Sequence, residues 1–216
     1  MPPEIVFWTV YVILAGGGGT LGALISERRK LANKIGRVPR RSIAQVADNT
    51  RACISGTVRR YQDLVEGGLT GRPCAVYHAQ VFGPPGETGA IRRTLIDEVH
   101  GALFVLEDET GRALIDPTDA VVEIKFDSWS TRDTFRQRTP RTDALLARHG
   151  FTRPTSFWKS QLWCGEGVIV PGDRVTVVGL CVREGDPDAG TYRDGTALRV
   201  RVGGSPGSPL WMTKRR

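Results

Sequence analysis

The sequence predicts a mainly β fold, a small β-barrel or sandwich with one short helix, preceded by a single transmembrane α-helix. Three observations support this prediction. Apolar and polar residues alternate with a period of two along several short segments, as in half-buried strands. Turns rich in glycine and proline separate those segments. A run of 21 uncharged residues, 5–25, would span about 31 Å as a helix, close to the hydrocarbon thickness of a bilayer.

The uncharged run has the features of a retained membrane anchor. No basic residue precedes it, unlike a cleaved secretory signal. Seven Lys and Arg residues fall within 28–41, beginning with Arg28, Arg29 and Lys30. By the positive-inside rule, we expect a single-pass protein with its C-terminal domain in the cytoplasm. The alternative is a buried core helix, for which 21 uncharged residues are unusually long. We expect three parts: an anchor (1–27), a basic juxtamembrane linker (28–50) and a β domain (51–216).

Two further features of the anchor concern its surroundings. Trp8 and Tyr11 suit the outer membrane interface, where amphipathic rings are enriched. Gly18 and Gly22 have the spacing that lets two transmembrane helices approach closely. This spacing permits a homodimer through the anchor, or it reflects the tolerance of small residues in lipid.

The excess positive charge of the chain lies near its two ends. The net charge is +7, but without the seven basic residues of 28–41, the basic tail 214–216 and Glu27 it becomes −2. The basic excess therefore favours contact of the membrane-proximal arm with anionic lipid head groups. We expect membrane lipid, and no nucleic acid, among the partners.

The elements of the β domain follow in order. Ser42 is expected to cap a short helical turn over 43–46. The clearest alternating strands are 74–82, 120–126 and 198–202, whereas 102–106 and 175–182 are nearly continuous apolar runs typical of strands buried on both faces. One helix is predicted over 142–149, with Thr142 or Asp143 at its N-cap and Gly150 just after its end.

The four cysteines favour a packing role. Cys53, Cys74, Cys164 and Cys181 are widely spaced, with no C-x-x-C and no nearby pair of histidines, so neither zinc spacing nor a redox motif is present. The sequence also lacks hydrolase, metalloprotease, P-loop and dinucleotide fingerprints. We expect no metal, no cofactor and no catalytic residue.

Four motifs resemble a known family in their order and spacing. They are residues 55–58 (SGTV), 69–77 (LTGRPCAVY), 104–117 (FVLEDETGRALIDP) and Glu166 ahead of 171–179 (PGDRVTVVG). Over 43–212 the chain resembles the GIDE family, whose beside-a-membrane (BAM) domain is named for mitochondrial-anchored ubiquitin ligases. The resemblance implies a β domain next to a membrane. The motif residues are expected to be mainly structural: Gly56, Gly71, Pro73, Cys74, Glu107, Asp108, Gly111, Arg112, Asp116, Pro117, Glu166 and Gly172.

Ligase activity in that family belongs to a C-terminal RING finger. This sequence has no Cys and His array for a RING, since four scattered cysteines and three unclustered histidines cannot supply two zinc sites. The resemblance therefore leaves an E3 ubiquitin-ligase-like component as an alternative, which a RING in another chain would favour.

The acidic stretch 107–109 has two interpretations. With Asp116 it has the carboxylates for Mg²⁺ or Ca²⁺, or for an acid–base pair. We favour a polar β-hairpin turn, with a positive φ at Gly111 and Arg112 neutralising the carboxylates. Cys74 beside Arg72 similarly offers either an activated thiol or a core side chain, and we favour the core.

These observations predict a membrane-anchored, non-catalytic binding or scaffold module at the cytoplasmic membrane surface, whose partner is another protein. Two alternatives remain: the ligase-like component implied by the resemblance, and a sensor of anionic lipid surfaces driven by the basic arm.

Overall fold

The computed structural model describes residues 38–85, 92–129, 139–151, 162–185, 198–205 and 207–214. The predicted anchor, with Trp8, Tyr11, Gly18 and Gly22, lies outside these ranges, as does its basic flank of Arg28, Arg29 and Lys30. Among the described residues, no helix combines the length and apolarity needed to cross a membrane.

The described chain is mostly strand. A 3₁₀ turn (Ile43–Gln45) comes first and one α-helix, α1 (Pro140–Arg148), lies between the ninth and tenth strands. The strands are β1 (Thr50–Arg60), β2 (Val65–Glu66), β3 (Pro73–Cys74), β4 (Val76–Pro85), β5 (Arg92–Gly101), β6 (Phe104–Asp108), β7 (Gly111–Ile115), β8 (Val121–Glu123), β9 (Ser128–Trp129), β10 (Trp163–Ile169), β11 (Arg174–Gly185), β12 (Leu198–Gly203) and β13 (Trp211–Lys214).

Five strands close into a barrel in the order β1-β6-β7-β12-β11, with β11 returning to pair with β1. Every pair in the ring is antiparallel except β7 and β12, which are parallel. Numbered along the chain, the ring reads first, second, third, fifth, fourth. The mainly β prediction with one short helix is confirmed, and the architecture is a closed barrel.

Alternation along the strands fills the barrel. In β12, Val200 and Val202 are buried in the core, while Arg199 and Arg201 point outward and pair with carboxylates. This is the pattern that the sequence predicts for 198–202, because successive side chains of a strand face opposite sides.

A second sheet, in the order β5-β4-β10-β9, comes from the connections between barrel strands. Helix α1 packs on it through Leu145 and Leu146. The predicted N-cap at Thr142 or Asp143 is wrong, because the helix begins at Pro140 and the Thr139 side chain accepts a hydrogen bond from the Thr142 N–H. Gly150 follows the helix with a φ of +78°, as a C-terminal glycine should.

Residues 38–49, which the sequence analysis placed in the linker, pack on the barrel. Ile43 and Val46 are buried in its core, and the Arg41 N–H donates to the Cys53 carbonyl at 3.0 Å. The helical turn at 43–45 is present, but the Ser42 side chain does not cap it. The Ile43 N–H instead donates to Asp108 at 2.9 Å, so a carboxylate distant in sequence has taken the capping role.

Candidate functional site

Glu166 holds a loop rather than a ligand. It lies in β10, is 1% exposed, and accepts hydrogen bonds from the backbone of Leu69 at 2.8 Å and Thr70 at 3.1 Å, and from the Thr70 hydroxyl. Gly71 follows in this loop with a φ of +69° and donates its N–H to the Gly67 carbonyl. Two motifs that are almost a hundred residues apart thus form one structural unit.

Cys74 has the environment of an inert thiol. With Pro73 it forms β3, which pairs with β2, and its side chain is fully buried. Burial first, and then the nearby Glu166 carboxylate, raise the pKa of Cys74 to about 12. The activated-thiol alternative needs a lowered pKa. All four cysteines are free and buried, as the sequence predicts.

The acidic stretch forms the expected hairpin by a different mechanism. β6 and β7 pair through Asp108 and Gly111, but φ at Gly111 is not among the positive values, so the predicted left-handed glycine is wrong. The Asp108 carboxylate accepts hydrogen bonds from the N–H groups of Thr110 at 2.7 Å and Gly111 at 3.0 Å. This side-chain acceptor stabilises the turn without positive φ. Burial alone would raise the pKa of Asp108, but the hydroxyl and backbone donors hold it below the usual range.

Glu107 bridges two arginines. Arg59 of β1 donates to it at 2.6 Å, and Arg112 of β7 donates at 2.8 Å. These hydrogen bonds, from Arg59 first and Arg112 second, lower the pKa of Glu107. Arg112 therefore neutralises the hairpin as the sequence predicts.

Three other motif positions also stabilise the barrel. Asp116 accepts from Arg201 at 2.6 Å and from the Thr118 N–H at 3.1 Å, next to the buried Pro117. Gly172, with a φ of +96°, donates its N–H to the Val58 carbonyl of β1 at 2.9 Å.

Gly56 lies in β1 next to Thr57, the residue at which the antiparallel pairing with β6 begins. A Cβ at this position would lie 2.4 Å from the Glu107 carbonyl oxygen, so only glycine allows the two backbones to approach so closely.

Within the described ranges, no three His, Cys, Asp or Glu side chains are grouped so as to hold a metal ion. Glu107 and Asp108, which the metal interpretation required, are instead engaged by arginines and by backbone N–H groups.

The outer wall of the barrel carries an open groove of about 360 Å³. We call it the arginine groove, because four of its lining residues are arginines and none is acidic: Arg59, Arg60, Arg112 and Arg199, with Tyr61 and Leu114. Two other open cavities of the described chain are lined by both signs of charge, for example Arg201 with Asp116 and Asp119, or Arg174 with Glu109.

Strand register assembles the arginine groove from residues distant in sequence. Arg59 lies opposite Val105, and Val105 lies opposite Leu114, across β1, β6 and β7. Leu114 is only 4% exposed but is not part of the core inside the barrel. The floor of the groove is thus apolar and is covered by long side chains of the outer face.

At the rim of the arginine groove, Arg199 donates to Glu184 at 2.8 Å and to the Tyr61 hydroxyl at 3.1 Å, with its guanidinium 5.7 Å from the Tyr61 ring centroid. The hydrogen bond that Arg199 donates to Tyr61 is the largest cause that raises the pKa of Arg199. Burial opposes it, and the hydrogen bond to Glu184 adds to the rise. Sequence reasoning missed this surface, and the only signal for it was the strict alternation of arginine with valine in 198–202.

No protein-family model, no curated protein and no solved structure matches the chain. The fold itself defines the class of the chain, a mainly β protein built on a closed five-stranded barrel. The GIDE resemblance stays a prediction.

Proposed function

We propose that this chain is a membrane-tethered, non-catalytic binding module that engages another protein through the arginine groove. The observation that supports it most is the lining of that groove, with four arginines and an exposed tyrosine over an apolar floor and no carboxylate. Arginine and tyrosine are enriched in protein interfaces because each combines a large contact area with directional hydrogen bonds.

The non-catalytic part of the proposal is supported by the state of the acidic motif residues. Glu166, Asp108 and Asp116 each accept several hydrogen bonds from loops or arginines that they hold in place. A general acid or base needs a proton-transfer position open to substrate, and these carboxylates use their acceptors for structure.

The tether is supported by the sequence of residues 5–25 and its basic flank. Under this proposal the barrel is held at the cytoplasmic membrane surface, where a partner meets a locally concentrated binding face. The ligase-like and lipid-sensor alternatives involve other parts of the chain or another chain, and the groove does not favour either.

The proposal is tested by the size of the native complex. Membranes from the source cells are solubilised in a mild detergent, and the tagged chain is followed by size-exclusion chromatography. We expect the wild-type chain to elute as a species larger than one chain in a detergent micelle. The double variant Arg60→Gln/Arg112→Gln should elute later, as a smaller species. The control is Arg141→Gln, at an exposed arginine on α1 that pairs with Glu66 outside the groove. Identical elution of all three proteins would contradict the proposal.

A further inference from the structure

We propose that the arginine groove binds an acidic segment of the partner protein, an extended stretch of about four or five residues with carboxylates around an apolar side chain. This inference rests on the proposed function and names the chemistry of the ligand.

The arginines are positioned for carboxylate recognition. Arg59 and Arg112 both contact Glu107 through Nε. Among the described residues, the terminal N–H groups of both guanidiniums have no acceptor, and they can donate to a ligand. A guanidinium held by one carboxylate loses less rotamer freedom when it binds a second. Guanidinium and carboxylate groups form paired, charge-assisted hydrogen bonds, which makes an Asp or Glu side chain the complementary ligand.

The dimensions fit a short peptide. The groove crosses β1, β6, β7 and β12, which at about 4.8 Å between strands is about 14 Å. An extended peptide rises about 3.3 Å per residue, so four or five residues cover that distance. The apolar floor at Val105 and Leu114 suits one aliphatic or aromatic side chain of the peptide.

The surroundings of the groove disfavour a nucleic acid. The carboxylates of Asp63, Glu107 and Glu184 pair with arginines of the groove, although none of the three lines it. A phosphate backbone carries a charge at every nucleotide and would meet these carboxylates, whereas a peptide can place neutral or basic residues there. Tyr61 is also the one aromatic residue of the lining, while single-stranded nucleic acids favour successive stacking side chains.

The test uses the full-length chain in a non-ionic detergent and fluorescence anisotropy with three labelled probes. The first is a peptide with the sequence Glu-Glu-Leu-Glu-Glu, the second replaces each Glu with Gln, and the third is a short oligothymidylate. We expect the acidic peptide to bind at least about tenfold more tightly than either of the other probes, and raised salt to weaken it.

Two variants locate the binding. Arg60 and Arg112 have side chains that are 61% and 73% exposed, so the double variant Arg60→Gln/Arg112→Gln should keep the wild-type circular dichroism spectrum. We expect it to lose at least about tenfold in affinity for the acidic peptide, and Arg141→Gln to stay within about twofold of wild type.

Four results would overturn the inference: no binding of the acidic peptide, equal binding of the glutamine peptide, an unchanged affinity in the double variant, or tighter binding of the oligothymidylate. A failed peptide titration together with a native complex that depends on Arg60 and Arg112 would reject only the ligand chemistry. If the peptide does not bind and the native complex does not depend on Arg60 and Arg112, the binding surface itself is rejected.

Discussion

Replacing Glu166 with glutamine perturbs the contact that joins the loop 67–71 to β10. The carboxylate is 1% exposed and accepts from two backbone N–H groups, those of Leu69 and Thr70, and from the Thr70 hydroxyl. Glutamine has nearly the same shape but only one acceptor oxygen, so its amide N–H₂ must face at least one of these donors. A hydrogen bond to a charged group contributes about 1.5–3 kcal/mol, and an unpaired buried donor adds a cost of its own.

Desolvation of the ionised carboxylate offsets part of that loss, since glutamine is easier to bury. We therefore expect Glu166→Gln to lower the free energy of unfolding by about 2 kcal/mol. For a chain of this size that corresponds to a fall in melting temperature of about 4–8 °C.

The assay is thermal unfolding of the full-length chain in detergent, followed by near-ultraviolet circular dichroism. The control is Glu109→Gln, at an exposed position in the β6–β7 turn, which should stay within about 0.5 kcal/mol of wild type. Amide hydrogen exchange adds a local measurement, because Leu69 and Thr70 should exchange at least about tenfold faster in Glu166→Gln. Equal melting temperatures and unchanged exchange at both amides would refute the role assigned to Glu166.

Three further predictions follow from the barrel and the tether. Gly56→Ala should cost about 1–3 kcal/mol, because its Cβ would lie 2.4 Å from a backbone oxygen, while Gly111→Ala should be mild with its nearest contact at 3.6 Å; equal urea midpoints would contradict this. Asp108→Asn should lower stability by about 1 kcal/mol at pH 7. Folding lowers the pKa of Asp108, so its contribution to stability is present above pH ~4 and is lost as the pH falls through the pKa of the folded state. In urea titrations, the difference in unfolding free energy between wild type and Asp108→Asn should therefore be smaller at pH 3 than at pH 7. An equal difference at both pH values would contradict this prediction. Deleting residues 1–25 should move the protein from the membrane to the soluble fraction with its fold intact, and recovery of the full-length chain in high-salt washes without detergent would disprove the tether.

Local pattern predicted the strands, because the period of two is a property of neighbouring residues. The alternation at 198–202 and the pairing of Arg112 with the 107–109 carboxylates both act over a few residues, and both are confirmed. The left-handed glycine at 111 failed because two ways of closing a hairpin have similar sequence signatures. An aspartate acceptor at 108 took the place of positive φ.

The closure of the barrel and the arginine groove could not be predicted from local sequence pattern, because both depend on strands that are distant in sequence. The barrel closes where β1 pairs with β11, from Thr50 opposite Cys181 to Thr57 opposite Arg174, and nothing in either segment specifies that partner. Arg59, Arg112 and Arg199 meet only after four strands, β1, β6, β7 and β12, are placed side by side. Glu166 shows the same limitation. A single glutamate among apolar residues can be a functional residue or a structural one, and only its contacts with the distant loop 67–71 show that it is structural.

The central claim, that the arginine groove is the surface that meets a partner at the membrane, is tested most directly by photocrosslinking in the source cells. A photoreactive phenylalanine derivative replaces Tyr61, which is at the edge of the groove and 36% exposed, or Ala147, which is exposed on α1. We predict a discrete crosslinked protein in the membrane fraction from position 61, none from position 147, and loss of the product when Arg60→Gln/Arg112→Gln is added. Equal products from both positions, or a product from position 61 that survives the arginine substitutions, would contradict the claim.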